Sequence, residues 1–311
     1  MTTNEQYMHR CLQLARKGAG NVAPNPMVGA VLVHEGRIIG EGWHQQYGGA
    51  HAEVHGVNDA IQNGYASLLS AATLYVSLEP CAHHGKTPPC VDLIINHRIP
   101  HVVVGCRDPF EQVNGKGIDK LRAAGVQVEL GVLQQECEYL NRRFFTFHQQ
   151  QRPYVILKWA QTADGYIGSG TKERLLISNN TTNQLVHQWR SEEAAILVGS
   201  NTALLDDPQL TNRLAPGHQP LRLLLDGSLK VPATARMMDA AAPTWVFNFL
   251  REEAATQPRY IQLQSAQPVL PQLLHRLWQL GVQSVLVEGG ATLLQHFINT
   301  DSWDEARVIT G

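Results

Sequence analysis

Short apolar runs alternate with stretches of helical periodicity along almost the whole chain, and the alternation is broken once. In the first half MVGAVLV and RIIGEGW, separated by HEG, read as a hairpin, and ATLYVSL, HVVVGC and VQVEL read as further strands. Helical patterns lie between them. The first, capped by Thr2, Thr3 or Asn4 and ended by Gly18, carries Tyr7, Met8, Cys11, Leu12 and Ala15 on one face. Others run from His51 to about Asn63, through VDLIIN and GIDKLRAAG, and through ECEYLNRRFFTF as a last helix. Strands and helices interleaved in this way bury their apolar faces as a layered α/β domain with a central sheet.

The polar stretch HQQQRP, from His148 to Pro153, interrupts the pattern and predicts a linker. A second α/β domain is expected after it. Its strands would be YVILKW, AILVG, LRLLLD, TWVFNF and SVLVEGG, with helices near Asn180 to Arg190, from Pro271 to Leu280, and in ATLLQHFIN. The predicted domains are therefore residues 1–148 and 153–311. A length of 311 residues suits two domains of ordinary size.

Hydrophobic residues make up 43% of the chain and charged ones 17%, enough apolar material for two cores. Lys+Arg total 25 against Asp+Glu 27, a formal charge of -2, so no basic field exists to hold a nucleic-acid backbone by counterion release. Five cysteines, sparse and odd in number, are not a secreted disulfide framework and predict a reducing compartment. The first residues lack the apolar run of a signal peptide, and no stretch approaches the ~18 apolar residues of a membrane span. The expectation is a cytoplasmic protein with neither membrane nor nucleic acid as partner.

The chemistry concentrates in two places. His51, Ala52 and Glu53 are followed by SLEPCAHHGKTPPC, which carries Cys81 and Cys90. One imidazole and two thiolates are the ligands a catalytic Zn²⁺ takes while its fourth position stays with water, and a carboxylate two residues after the histidine can move the proton without being a ligand. Glu53 is that carboxylate. Zinc deaminases read H-x-E and then P-C-x-x-C, whereas here eight residues separate the cysteines. His83 or His84 could instead close the site as a fourth ligand and make it structural. In the second half, Gly289 and Gly290 sit where a strand runs into a helix, a place where backbone amides can approach an anion, although such a turn is often only a turn.

The chain resembles the RibD family of bifunctional riboflavin-biosynthesis deaminase/reductases over nearly its whole length. The residues that carry the resemblance are PNPMVGAVLV, HAEVHG, LEPCAHHGKTPPC, LKWAQTADG, DDPQLT and VEGGATL. The resemblance implies a cytidine-deaminase-like layered α/β domain followed by a dihydrofolate-reductase-like α/β domain. The first would deaminate a diaminopyrimidinone ribosylamine phosphate, and the second would use NADPH to reduce the ribosyl group to ribityl. By the same resemblance His51, Cys81 and Cys90 would bind zinc, with Glu53 as proton shuttle. Asn25, His44, Lys86 and Asp108 would contact the first substrate.

In the second domain, the resemblance places NADPH against Ala160, Thr202, Asp206, Gly290, Ala291, Thr292, Leu293, Leu294, Gln295 and His296. It places substrate against Arg174, Arg190, Leu210, Arg213 and Glu288. Partners would be this small molecule and, for a homo-oligomer, further copies of the chain. Two departures from the family pattern stand out. Phe110 replaces a usual asparagine, and Arg174, Leu175 and Leu176 precede Ile177, Ser178 and Asn179 where a serine, a variable residue and tryptophan are common. Family members also continue beyond the strand begun by EARVIT, so a reductase shortened at Gly311, with deamination as the sole activity, is one expectation. A non-enzymatic protein stabilised by zinc is the alternative from another class.

Overall fold

The structure, a computed structural model, describes residues 2–84, 88–167, 177 and 179–311. Two of the residues singled out above, Lys86 and Arg174, lie outside the described residues, as do Leu175, Leu176 and Ser178. The chain divides into two compact units, Met1–Gln150 and Gln151–Gly311.

The first unit contains α1 (Thr3–Ala15), β1 (Gly29–His34), β2 (Arg37–Trp43), α2 (Ala52–Gln62), β3 (Thr73–Leu78), α3 (Cys90–Asn96), β4 (His101–Cys106), α4 (Lys116–Ala123), β5 (Gln127–Leu130), α5 (Gln134–Leu140) and α6 (Arg142–Gln150). Thr2 caps α1 reciprocally with Glu5, each side chain meeting the other's backbone amide. β1 and β2 pair antiparallel about a turn in which Glu35 and Gly36 both take positive φ, the conformation that matches the twist of a two-residue hairpin. The sheet order is β2-β1-β3-β4-β5, with β3, β4 and β5 parallel. One core lies under α2 and α3 around Leu32, Leu74, Val76 and Ile94, and a second lies against α1 around Met8, Val31, Tyr75 and Phe144. The expected last helix is two helices. Asn141 breaks it by spending its side chain on the backbone of Met27, with Met27 N donating to Oδ1 at 2.8 Å and Nδ2 donating to Met27 O at 2.9 Å.

What most shapes the first site is the approach of α2 to β2. A Cβ on Gly42 would stand 2.3 Å from both the Ala52 oxygen and the Gly56 nitrogen, and one on Gly40 2.3 Å from the Gly56 oxygen. Glycine at these positions lets backbone meet backbone, so the first turn of α2 is held against the sheet.

The second unit contains β6 (Tyr154–Gln161), α7 (Asn180–Glu192), β7 (Ala195–Gly199), α8 (Ser200–Asp206), β8 (Leu221–Leu225), β9 (Thr244–Asn248), β10 (Arg259–Gln262), α9 (Val269–Gln279), β11 (Ser284–Val287), α10 (Ala291–Asn299) and β12 (Glu305–Thr310). Its seven strands run in the order β10-β9-β8-β7-β11-β6-β12, and every neighbouring pair is parallel. The apolar runs read from the sequence are the central strands, buried on both faces as parallel strands require. Two elements, α8 and β10, have no counterpart in the sequence reading. Each is short, and β10 is an edge strand with a single fully buried side chain, Ile261. Among the described residues no helix is long and apolar enough to cross a membrane.

Candidate active sites

His51 occupies the N-cap position of α2, Glu53 lies in its first turn, Cys81 follows the end of β3, and Cys90 is the first residue of α3. Three separate elements thus deliver His51, Cys81 and Cys90 to one point, where their ligand atoms all lie within 4.8 Å of one another. His51 Nδ1 is 3.5 Å from Cys81 Sγ and 3.3 Å from Cys90 Sγ. A hydrogen bond from Cys90, opposed by burial and joined by the nearby His51 ring, brings Cys81 down to about 4, while Cys81 in turn raises His51 to about 9. Both shifts favour moving the Cys81 proton towards the His51 ring. Among the described residues no further His, Cys, Asp or Glu joins the cluster. His83 instead faces the Phe110 ring at 6.2 Å.

Glu53 is 3% exposed. Burial pushes its carboxyl up, against the opposing pull of the His51 charge, and its side chain reaches Cys90. The polar groups expected around a pyrimidine come together here. Asn25 Nδ2 lies 3.1 Å from His44 Nε2, and His44 Nδ1 lies 3.0 Å from the Ala50 oxygen, a pairing satisfied by the Nδ1–H tautomer. Burial holds His44 below the usual imidazole range, hence neutral. Its ring meets that of His51 edge-on at 5.4 Å. Asp108, 7% exposed, accepts the Phe110 amide on Oδ1 at 2.8 Å, and burial pushes its carboxyl to about 7.

In the second unit the carboxyl ends of β7, β8 and β11 open into a cavity of about 300 Å³. Thr202, Gly290, Thr292, Leu293 and His296 line it, together with Gly199, Gly227 and Phe249. The Gly290 amide donates to Thr202 Oγ1 at 2.8 Å. The run from Gly290 to His296 divides by helical period. Leu294 is buried in the core, and Gln295 bonds Asn299 on the exposed face of α10, so only one side of the run meets the cavity. Ala160 on β6, Asp206 at the end of α8 and Ala291 are not among the residues that line it.

Arg190 and Glu288, both expected to meet substrate, meet each other. Arg190 Nε and Nη2 pair with the two Glu288 oxygens at 2.7 and 2.8 Å, and Nη1 donates to the Thr211 oxygen at 3.2 Å. Lys158 Nζ stands 3.6 Å from Glu288 Oε2, a neighbour the sequence reading did not single out. Burial pushes the Glu288 carboxyl up, but the Arg190 and Lys158 charges outweigh it and bring it to about 2. Arg213 remains exposed, its Nη1 donating to Thr211 Oγ1 at 2.8 Å and its amide to His187 Nδ1 at 2.8 Å. Leu210, in the same loop, is 3% exposed.

Compared with known proteins, residues 1–106 match the cytidine and deoxycytidylate deaminase zinc-binding region, and residues 153–311 match the RibD C-terminal domain. Riboflavin biosynthesis protein RibD of Bacillus amyloliquefaciens is 41% identical over 310 residues, covering 97% of this chain and 82% of that protein. That of Escherichia coli (strain K12) is 34% identical, with 97% and 86% covered. Among solved structures, the diaminohydroxyphosphoribosylaminopyrimidine deaminase/5-amino-6-(5-phosphoribosylamino)uracil reductase of Thermotoga maritima superposes with a TM-score of 0.85 at 41% identity, covering 96% of this chain and 84% of that one. Acinetobacter baumannii RibD gives 0.88 at 35%, with 99% and 87% covered. A deaminase-like mixed sheet followed by a parallel-sheet reductase domain, matched over nearly the whole of this chain at these identities, means that the chain belongs to the RibD family of bifunctional deaminase/reductases of riboflavin biosynthesis.

Proposed function

We propose that residues 1–148 form a zinc-dependent deaminase and residues 153–311 an NADPH-dependent reductase, acting in turn on one pyrimidine ribosylamine phosphate. The observation that carries this reading is the convergence of His51, Cys81 and Cys90 beside the buried carboxyl of Glu53. One imidazole and two sulfurs suit Zn²⁺, and three protein ligands suit a catalytic site better than a closed structural one. Bound there, Zn²⁺ would bring the pKa of water to about 7 and so supply a nucleophile at neutral pH.

Glu53 takes a proton from the attacking water and returns it to the departing amino group. Across the step the ring carbon gains a bond to oxygen and loses its bond to nitrogen, and ammonia leaves. Burial raises this carboxyl, the direction that suits a group which must both take up a proton and give it back. Asn25 and the neutral His44 orient the pyrimidine edge. Asp108 contributes Oδ2, which has no protein donor among the described residues. Lys86 meets the phosphate as a point charge.

In the second domain the cavity against Thr202, Gly290, Thr292, Leu293 and His296 holds the dinucleotide. NADPH, when bound, supplies the hydride, and the protein's part is to hold and orient. The ribosyl carbon bonded to nitrogen gains that hydride, and the ring oxygen gains a proton as the ring opens to ribityl. Arg213, the exposed guanidinium of the site, meets the substrate phosphate, while Arg190 fixes Glu288 at the end of β11. The test is incubation with the diaminopyrimidinone phosphate, with and without NADPH, following ammonia and the ribityl product separately. Ammonia in both arms and ribityl product only with NADPH is expected. Absence of ammonia from zinc-loaded protein overturns the first assignment, and absence of the ribityl product overturns the second.

A further inference from the structure

Glu79 directly precedes the Pro80–Cys81 turn, and its carboxylate does not face the cluster of ligands. It points at the backbone of the loop after β4 and of the first turn of α4. Oε2 accepts the amides of Asp108 at 3.3 Å and Gly115 at 2.9 Å, and Oε1 accepts those of Gly117 at 3.0 Å and Ile118 at 3.2 Å. The side chain is buried, and the strand end is further tied by the Glu79 amide donating to the Cys106 oxygen at 3.0 Å. Four amides, two from the loop after β4 and two from the first turn of α4, are thus gathered on a single carboxylate two residues before a proposed metal ligand. The fit is close, since a Cβ on Gly117 would stand 2.0 Å from the Pro80 oxygen. The segment so held carries Asp108, whose Oδ1 is itself fixed by the Phe110 amide.

We propose that Glu79 is the positioning residue of the deaminase, locking the Asp108 loop to the Cys81 turn so that the Asp108 carboxyl is presented to the pyrimidine. This deepens the assignment above and rests on its reading of Asp108 as a substrate contact. The chemistry of the group makes the claim specific. A carboxylate has two accepting oxygens, and each is shared here by two amides. Glutamine at the same place has one. Its amide nitrogen would oppose either the Asp108 and Gly115 pair or the Gly117 and Ile118 pair, so Glu79→Gln releases one end of the loop while changing volume very little. Substrate affinity then falls, because the group that moves contacts substrate and belongs neither to the ligand set nor to the proton shuttle.

The test is steady-state deamination by Glu79→Gln, with zinc content and the NADPH-dependent reduction of the deaminated product measured on the same preparation. The expected result is one zinc per chain, reduction unchanged, kcat for ammonia release within about 3-fold of the parent, and KM raised about 10- to 100-fold, the range typical when an outer supporting partner is removed. The pairing with Asp108 supplies a second readout. In an Asp108→Asn background the further change Glu79→Gln should alter KM little, because the two act through one contact. An unchanged KM overturns the proposal. Loss of zinc together with activity also overturns it, in favour of support for the metal ligands, and so do fully additive effects in the double variant. If Glu79→Gln does not fold, Gly115→Ala addresses the same link. Its φ of +87° disfavours a side chain, and the added Cβ meets only the Arg107 guanidinium, at 3.6 Å, so the strain falls on the amide that Glu79 holds. A folded Gly115→Ala protein should show the same rise in KM to a smaller degree, and one with parental KM overturns the proposal. A parent chain that releases no ammonia would instead remove the deaminase reading itself.

Discussion

At the scale of single residues, the convergence of His51, Cys81 and Cys90 was legible because two short motifs mark it. His51 and Glu53 are two residues apart at the start of a helix, and Pro80 marks the cysteine turn. Glu79 and Lys158 were not legible, because what defines them is a partner far along the chain. Glu79 meets Gly115 36 positions away, and Lys158 meets Glu288 130 positions away. Glu53→Gln should keep zinc and fold yet lower deamination by about 10²–10⁴-fold, since the amide cannot take up the proton of water. Near-parental ammonia release would reduce Glu53 to a structural group. The Glu288 carboxyl makes a different prediction. Its folded value of about 2 lies below the ordinary 4.5, so the folded state binds fewer protons than the unfolded state between those values. Stability from this group is therefore complete above about pH 4.5 and is lost as the pH falls towards 2, by at most about 3 kcal/mol. Glu288→Gln should melt well below the parent at pH 7, and the gap should narrow as the pH falls from 4.5 towards 2. A gap independent of pH would mean that the carboxylate charge stabilises nothing.

Elements were legible where burial imposes a period. The strands of both sheets other than β10 appeared as apolar runs, and α2 appeared as a helix because Ala52, Val57 and Ala60 share its buried face. The break at Asn141 was hidden, since the helical pattern of ECEYLNRRFFTF runs through it and the competing bonds come from Met27, 114 positions earlier. The tightness of the α2 and β2 contact was equally hidden, as glycine spacing in RIIGEGW says nothing about what crosses it. That contact can be tested directly. Gly42→Ala places a methyl group 2.3 Å from the backbone of α2, and the helix must move, at a cost of about 1–3 kcal/mol for overpacking. Because Glu53 sits in the first turn of that helix, deamination should fall more steeply than thermal stability, with NADPH-dependent reduction unaffected. A Gly42→Ala protein with parental deamination would show that the close approach does not set the position of Glu53.

At the scale of the whole molecule, the described residues named for each proposed activity belong to one compact unit. Asn25, His44, His51, Glu53, Cys81, Cys90 and Asp108 belong to Met1–Gln150, and the cavity of Thr202, Gly290 and His296 belongs to Gln151–Gly311. Two-unit composition was legible in the sequence from the HQQQRP interruption, whereas the gathering of residues within each unit is a property of the fold. It leads to an experiment on mixed variants. Gly290→Val puts branched carbons where a Cβ already stands 3.1 Å from Thr202 Oγ1, at the mouth of the proposed dinucleotide cavity, and should lose NADPH binding while releasing ammonia at close to the parental rate. Glu53→Gln should do the reverse, reducing deaminated substrate that it cannot make. Neither variant alone should convert the diaminopyrimidinone phosphate to the ribityl product. A mixture of the two should do so after a lag, because the deaminated intermediate leaves one chain and enters another. If each variant shows its own single activity but the mixture makes no ribityl product, the intermediate does not pass through solution. If Gly290→Val titrates with NADPH as the parent does, the turn between β11 and α10 is only a turn, and the dinucleotide belongs elsewhere in the second unit.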